Sequence, residues 1–210
     1  MSRIIDLTLT YDENIPNFSR ERSREIGRDG WLAHDLHIYS HAGTHMDAPV
    51  HFNATPKSID EWEPERFIST CHVVRLYGCA PRKRITVADL GETGRKAGPG
   101  ESILIATGWH RFLGRPEYRD QLPGISLELA GWMVEKRINM VLVEPPSVAD
   151  VNDREEVTAI HLKLLKGDII IVEGICNTEE IKKDTIKILA FPLKIRDGDG
   201  APARVLAIED

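Results

Sequence analysis

Val157-Thr-Ala-Ile-His161-Leu-Lys-Leu-Leu-Lys166-Gly167-Asp-Ile-Ile-Ile-Val-Glu173 changes its period partway along. Val157, Ile160, His161 and Leu164 recur at the i, i+3, i+4, i+7 spacing of one helix face. Gly167 suits the position just past a helix C-terminus, so a helix is expected over 157–166. The β-branched run 168–172 that follows is short and reads as a strand. Working outward, further strand-like runs fall at 4–10, 71–76, 102–106, 139–143, 186–191 and 203–208. Ser126 is a suitable N-cap for a second helix over Leu127–Lys136, with Leu127, Ala130, Gly131 and Val134 on one stripe. Strands alternating with helices in the second half imply crossover units, whereas the first half is strand- and loop-rich. The expected class is α/β, a single domain over residues 1–210. The charged stretch 20–28 is read as a solvated loop or short helix.

The chain has 210 residues, enough for one domain with a real core. Its 41% hydrophobic and 29% charged residues are ordinary for a globular protein and exclude wholesale disorder. A net charge of -6 argues against nucleic acid as a partner, because phosphates demand a basic footprint. The first residues form no signal-peptide-like apolar stretch, and no apolar run approaches the ~18 residues needed to span a bilayer. Cys71, Cys79 and Cys176 form no Cys-x-x-Cys pair, which fits reduced thiols filling small apolar gaps. A cytoplasmic protein without a membrane partner is therefore expected.

Chemistry concentrates in His41-Ala-Gly-Thr-His45-Met-Asp47-Ala-Pro-Val-His51-Phe52, which holds three of the eight histidines. Gly43 and Pro49 argue against a continuous helix. On an extended chain, positions 41, 45, 47 and 51 share one face. Ten extended residues would span up to ~33–36 Å, whereas metal–nitrogen bonds are ~2 Å, so a common site requires the chain to curl. Gly43 and Pro49 can supply that bend. Imidazole and carboxylate donors without thiolate point to zinc or manganese. Any one of these histidines alone would be better explained as a surface residue; the set favours a metal site. Elsewhere, His161 on an inward helix face fits a core histidine as well as a ligand. Glu173, at the end of an apolar strand, either faces the surface at the strand end or needs a partner such as a metal, since burying an unpaired carboxylate is very costly. A helix, a turn at Gly167 and a returning strand could bring residues 161 and 173 together.

The histidine stretch resembles the His-x-Gly-Thr-His-x-Asp-x-Pro-x-His-Phe signature of the cyclase family, which includes metal-dependent bacterial kynurenine formamidases and isatin hydrolases. His161-Leu-Lys-Leu-Leu and the strand ending in Glu173 are also similar to that family. So are Asp6-Leu7-Thr8, Ala106-Thr-Gly-Trp109, Pro146-Ser147 and Asp199-Gly-Ala-Pro-Ala-Arg204. The resemblance implies the swivelling β/β/α cyclase-family fold and a homo-oligomer, either dimer or tetramer. It makes His41, His45 and Asp47 ligands of a divalent ion, Zn2+ or Mn2+. It also makes His161 a second-site ligand and Glu173 a bridge with Asp47, giving one or two ions per subunit. His51 becomes the acid/base residue.

The reaction so implied is hydrolysis by metal-activated water of an amide, imide or lactam bond in a small, planar or cyclic substrate. A lactone hydrolase or cyclase at the same site, or an inactive metal- or ligand-binding homologue, are the alternatives. Formamidases of the family tend to carry a Trp shortly after the opening strand, where this chain has Ile15-Pro-Asn17-Phe18-Ser19. Phe18 and Trp109 are the aromatic candidates for stacking on a planar substrate, although each would equally suit a packed core.

Overall fold

The computed structural model describes residues 2–210. The strands, in chain order, are β1 (Arg3–Asp6), β2 (Phe18–Arg24), β3 (Ala33–Ile38), β4 (His45–Asp47), β5 (Ile68–Arg75), β6 (Arg84–Ile85), β7 (Ser102–Ala106), β8 (Gly124–Ile125), β9 (Met140–Val143), β10 (Ile170–Glu173), β11 (Thr185–Pro192) and β12 (Gly200–Glu209). The helices are α1 (Ile26–Asp29), α2 (Gly91–Arg95), α3 (Pro116–Asp120), α4 (Leu127–Lys136) and α5 (Arg154–Lys166). Eight strands form one sheet in the order β1-β12-β11-β5-β7-β9-β10-β4. Because β4 also pairs with β12, the sheet curls back on itself in the manner of a barrel. β1 remains an outer edge, paired only with β12. The segment β5-β7-β9-β10 is parallel, which agrees with the α/β reading.

Strand parity sorts the apolar side chains into two cores. Met140 and Leu142 of β9, Ile170 and Val172 of β10, and Met46 of β4 point inward to one. Val141, Val143 and Ile171 point the other way, against Leu129 and Met133 of α4 and Ile160 and Leu164 of α5. Strands covered on both faces read as continuous apolar runs, as these do. The same parity places His45 and Asp47, the neighbours of Met46, on the face that carries the helices.

Helix α4 has the expected bounds, with the Ser126 hydroxyl accepting from the Leu129 N–H. Helix α5 begins three residues earlier than the apolar stripe implies. The Asp153 carboxylate caps it by accepting from the backbone N–H groups of Glu155 and Glu156. β10 starts at Ile170 rather than at residue 168 because Asp168 adopts φ +56°, a turn conformation incompatible with a strand. β1 stops at Asp6, and Thr8 makes only an isolated bridge to Ile175. The expectation of a loop or short helix at 20–28 is corrected. Most of it is β2, paired antiparallel with β3, and only Ile26–Asp29 is helical. Its alternating charges lie on a hairpin with two largely solvated faces, so burial imposes no apolar period.

Candidate metal centre

The closing strand β4 assembles the site. On one side it pairs with β10, placing Glu173 opposite His45. On the other it pairs with β12, placing Gly200 opposite Asp47. Two backbone positions with positive φ permit these approaches. Gly43 sits at φ +61° and Gly174 at φ +68°, where a Cβ on Gly174 would lie 2.3 Å from the Gly43 carbonyl oxygen. After β4, Pro49 opens a short 3-10 turn, Pro49–Phe52, that swings His51 back towards His41. The loop thus curls as the bond-length argument requires. The His41 and His51 rings stack with centroids 3.9 Å apart.

His161 arrives from α5. Its Nδ1 lies 2.7 Å from the Val157 carbonyl, and Phe52 stacks on its ring at 4.3 Å. The Nδ1 of His45 lies 3.0 Å from the Gly43 carbonyl. A carbonyl can only accept, so in both rings Nδ1 carries the proton and Nε2 is turned towards the carboxylates. The Nε2 of His45 is 3.2 Å from Glu173 and 3.6 Å from Asp47. The Nε2 of His161 is 3.5 Å from Asp47 and 3.6 Å from Glu173. Nδ1 of His41 is 2.8 Å from Asp47. Glu173 is further fixed by the backbone N–H of Val148, which donates to its Oε1 at 2.7 Å.

His45, Asp47, His161 and Glu173 are each 3% exposed or less, so water does little to solvate their charges. Two carboxylates facing two imidazole lone pairs repel unless positive charge lies between them. Without an ion that charge must come from protons. Burial pushes His41 down, but the hydrogen bond and charge of Asp47, joined by Asp199, outweigh it and raise the ring to about 9. Burial is likewise overcome in His45 and His161, which are raised chiefly by Glu173. Asp47 and Glu173 are held below the usual carboxylate range by those same histidines, against burial. Divalent cations would supply the charge with the rings neutral, and backbone-anchored imidazoles with inward Nε2 atoms are the donor geometry metals use. The donor atoms of His41, His45 and Asp47 cluster within 4.8 Å of one another, as do those of Asp47, His161 and Glu173. His41, His51 and Asp199 form a third such cluster. The residues present therefore fit a divalent metal, and Asp47 belongs to the first two clusters.

The cluster borders a cavity of about 440 Å³ whose other walls include Leu9, Ile15, Leu113 and Val151, with Ser147 and Tyr39 among its polar groups. His51 is half-buried on its wall. Burial first, then the charges of His41 and His161, keep its pKa below the ordinary value despite Asp47 and Asp199. The structure brings together His41, His45, Asp47, His51, His161 and Glu173. Phe18 and Trp109 are not among the residues lining this cavity. Trp109 is buried, and its indole N–H donates to the Tyr118 carbonyl at 2.9 Å. Phe18 packs edge-on against Tyr11, with centroids 5.2 Å apart. Tyr39, Phe52 and Tyr118 border the cavity instead. Asp199, which meets both His41 and His51, went unassigned in the sequence.

Comparison with known proteins agrees with this architecture. The sequence pattern of the family described as "Putative cyclase" matches residues 5–150. A kynurenine formamidase of Bacillus mycoides (strain KBAB4) is 28% identical over 172 residues, covering 79% of this chain and 75% of the relative. An isatin hydrolase bound to the product analogue thioisatinate superposes with TM-score 0.90 at 21% identity, covering 99% of this chain and 92% of that one. Isatin hydrolase A from Ralstonia solanacearum gives TM-score 0.88 at 23% identity, covering 100% and 92%.

Proposed function

Because the chain belongs to the putative cyclase family, we propose that it is a metal-dependent hydrolase that cleaves an amide, imide or lactam bond of a small, planar or cyclic substrate. The observation that carries this reading is the buried pair Asp47 and Glu173, faced by the Nε2 atoms of His45 and His161 at the edge of a cavity. His41, His45 and Asp47 would hold one Zn2+ or Mn2+, and Asp47, His161 and Glu173 a second. When bound, such an ion supplies Lewis acidity, polarising a carbonyl and making water a competent nucleophile near neutral pH.

The protein's own groups supply the rest. Burial lowers the pKa of His51, which favours the neutral ring whose lone pair can accept a proton from the attacking water. Its Nδ1 faces Asp199 at 3.5 Å, which leaves Nε2 as the atom that takes the proton and returns it to the leaving nitrogen. The apolar walls exclude competing water and suit a flat ring, and the cavity volume falls in the range of small-molecule sites. The relatives named kynurenine formamidase and isatin hydrolase support a carbon–nitrogen bond over a lactone.

Among the described residues, no helix is long and apolar enough to cross a membrane. We infer a homo-oligomer, dimer or tetramer, because the β2–β3 hairpin and its flanks expose Ile26, Trp31, Leu32, Leu36 and Tyr39. A two-stranded hairpin is marginally stable alone, and a concentrated apolar surface is usually covered by a partner. The functional test is a side-by-side assay of the metal-loaded protein on a cyclic imide, an isatin-like lactam, an aryl formamide and an aliphatic lactone. Ring-opening or deformylation of a nitrogen substrate is expected. Turnover of the lactone alone would overturn the assignment.

A further inference from the structure

Asp199 reaches the site from near the other end of the chain. The β4–β12 pairing sets Gly200 beside Asp47, and the Ala48 N–H donates to the Asp199 carbonyl at 2.9 Å. The backbone can come this close only because residue 200 is glycine. A Cβ there would lie 2.6 Å from His41 Cε1 and 2.6 Å from the Met46 carbonyl. The carboxylate of Asp199 therefore has a fixed address. Its Oδ2 lies 3.0 Å from His41 Nε2 and 3.5 Å from His51 Nδ1.

We propose that Asp199 is a positioning residue that fixes the ring orientation and tautomer of His41 and His51 together through one carboxylate oxygen. The inference rests on reading the site as a metal-dependent hydrolase. His41 faces Asp47 with Nδ1, so that is the nitrogen it offers to the ligand group. Nδ1 has a free lone pair only when the proton sits on Nε2, and Asp199 accepts that proton's hydrogen bond. A carboxylate behind a ligating imidazole both orients the ring and raises its basicity.

The same oxygen also faces His51, with the nitrogens exchanged and at the longer distance of 3.5 Å from Nδ1. A proton held on Nδ1 beside Asp199 leaves Nε2 free for proton transfer. The two rings stack with 27° between their planes, so neither can turn over without displacing the other. The ligand and the acid/base group thus share one orienting contact, which neither residue's own loop supplies.

The test uses the full chain with Asp199→Ala and Asp199→Asn. Affinity for Zn2+ and Mn2+ is measured by competition with a chromogenic chelator, and kcat and KM are measured at saturating metal. Melting of the chelated proteins checks the fold. Asp199→Ala should weaken metal binding about 10–100-fold and lower kcat with KM little changed. Asp199→Asn keeps an acceptor oxygen and should recover much of the affinity. The side chain is 47% exposed, so the chelated variants should melt close to the wild type. Wild-type affinity and kcat in Asp199→Ala would overturn the inference while leaving the metal site intact. Failure of the wild type itself to bind either ion would refute the metal reading, and this inference with it.

Discussion

Replacing Gly174 with alanine should break the site without touching a ligand. Gly174 follows Glu173 at φ +68°, and its carbonyl accepts from the Thr44 hydroxyl at 2.6 Å. Placing an L side chain in left-handed backbone costs roughly 1–2 kcal/mol. The new Cβ would lie 2.3 Å from the Gly43 carbonyl oxygen, a backbone atom with no flexible end to yield. Strand β10 and loop 43–44 must therefore separate, losing the Thr44 hydrogen bond, which contributes about 0.5–1.5 kcal/mol more. The two together come to roughly 1.5–3.5 kcal/mol, or a fall in Tm of roughly 3–14 °C for a chain of this size. Because His45 and Glu173 flank the contact, metal affinity should fall as well. Thermal unfolding of chelated Gly174→Ala separates the two effects, and a metal titration follows. Gly27→Ala serves as a control, since nothing lies within 4 Å of a Cβ there. A Gly174→Ala protein that melts with the wild type and takes up metal normally would refute the close-packing argument.

His51→Ala should keep its metal and lose about 10²–10⁴-fold in kcat, the usual range for a positioned acid or base; metal loss measured alongside would make His51 a ligand. Phe18→Ala should lower stability by about 0.5–1.5 kcal/mol through its lost edge-on contact with Tyr11, with KM unchanged in steady-state assays. A several-fold rise in KM would return Phe18 to the substrate. Asp168 is raised by burial but lowered further by its hydrogen bond to Arg66 and by the charges of Arg66 and Lys57. A depressed carboxylate contributes stability that is present above its unfolded pKa near 3.8 and is lost as pH falls through the lower folded value. Asp168→Asn, which tolerates φ +56°, should therefore flatten acid unfolding in that window, and an unchanged profile would show the ion pair to be inert.

What the sequence reveals here depends on how local the cause is. The 41–51 loop is legible because its donors lie close together and Gly43 and Pro49 announce the bend. His161 and Glu173 are legible from period and burial: a histidine on an inward helix face, and a carboxylate in an otherwise apolar strand. Asp199 is not, because its partner His41 lies 158 positions away and only the β4–β12 pairing joins them. Its flanking glycines look like turn residues until the His41 ring is seen lying over Gly200. Phe18 and Trp109 are hard to place from sequence for another reason. Aromatic residues suit cores and pockets alike, and only the satisfied indole N–H of Trp109 decides its case. The β2–β3 hairpin escapes because a strand with two solvated faces carries no apolar alternation.

The proposed chemistry requires an ion held at Asp47. Metal content per chain should be measured by mass spectrometry on protein purified without chelators, for the wild type and for the double variant His41→Ala/His45→Ala. Because two of the donor groups share Asp47, one or two zinc or manganese ions per chain are predicted in the wild type. The group that depends on His41 and His45 should be empty in a double variant that still folds. An equal metal content in the two proteins, or none in a wild type supplied with both ions, would contradict the account.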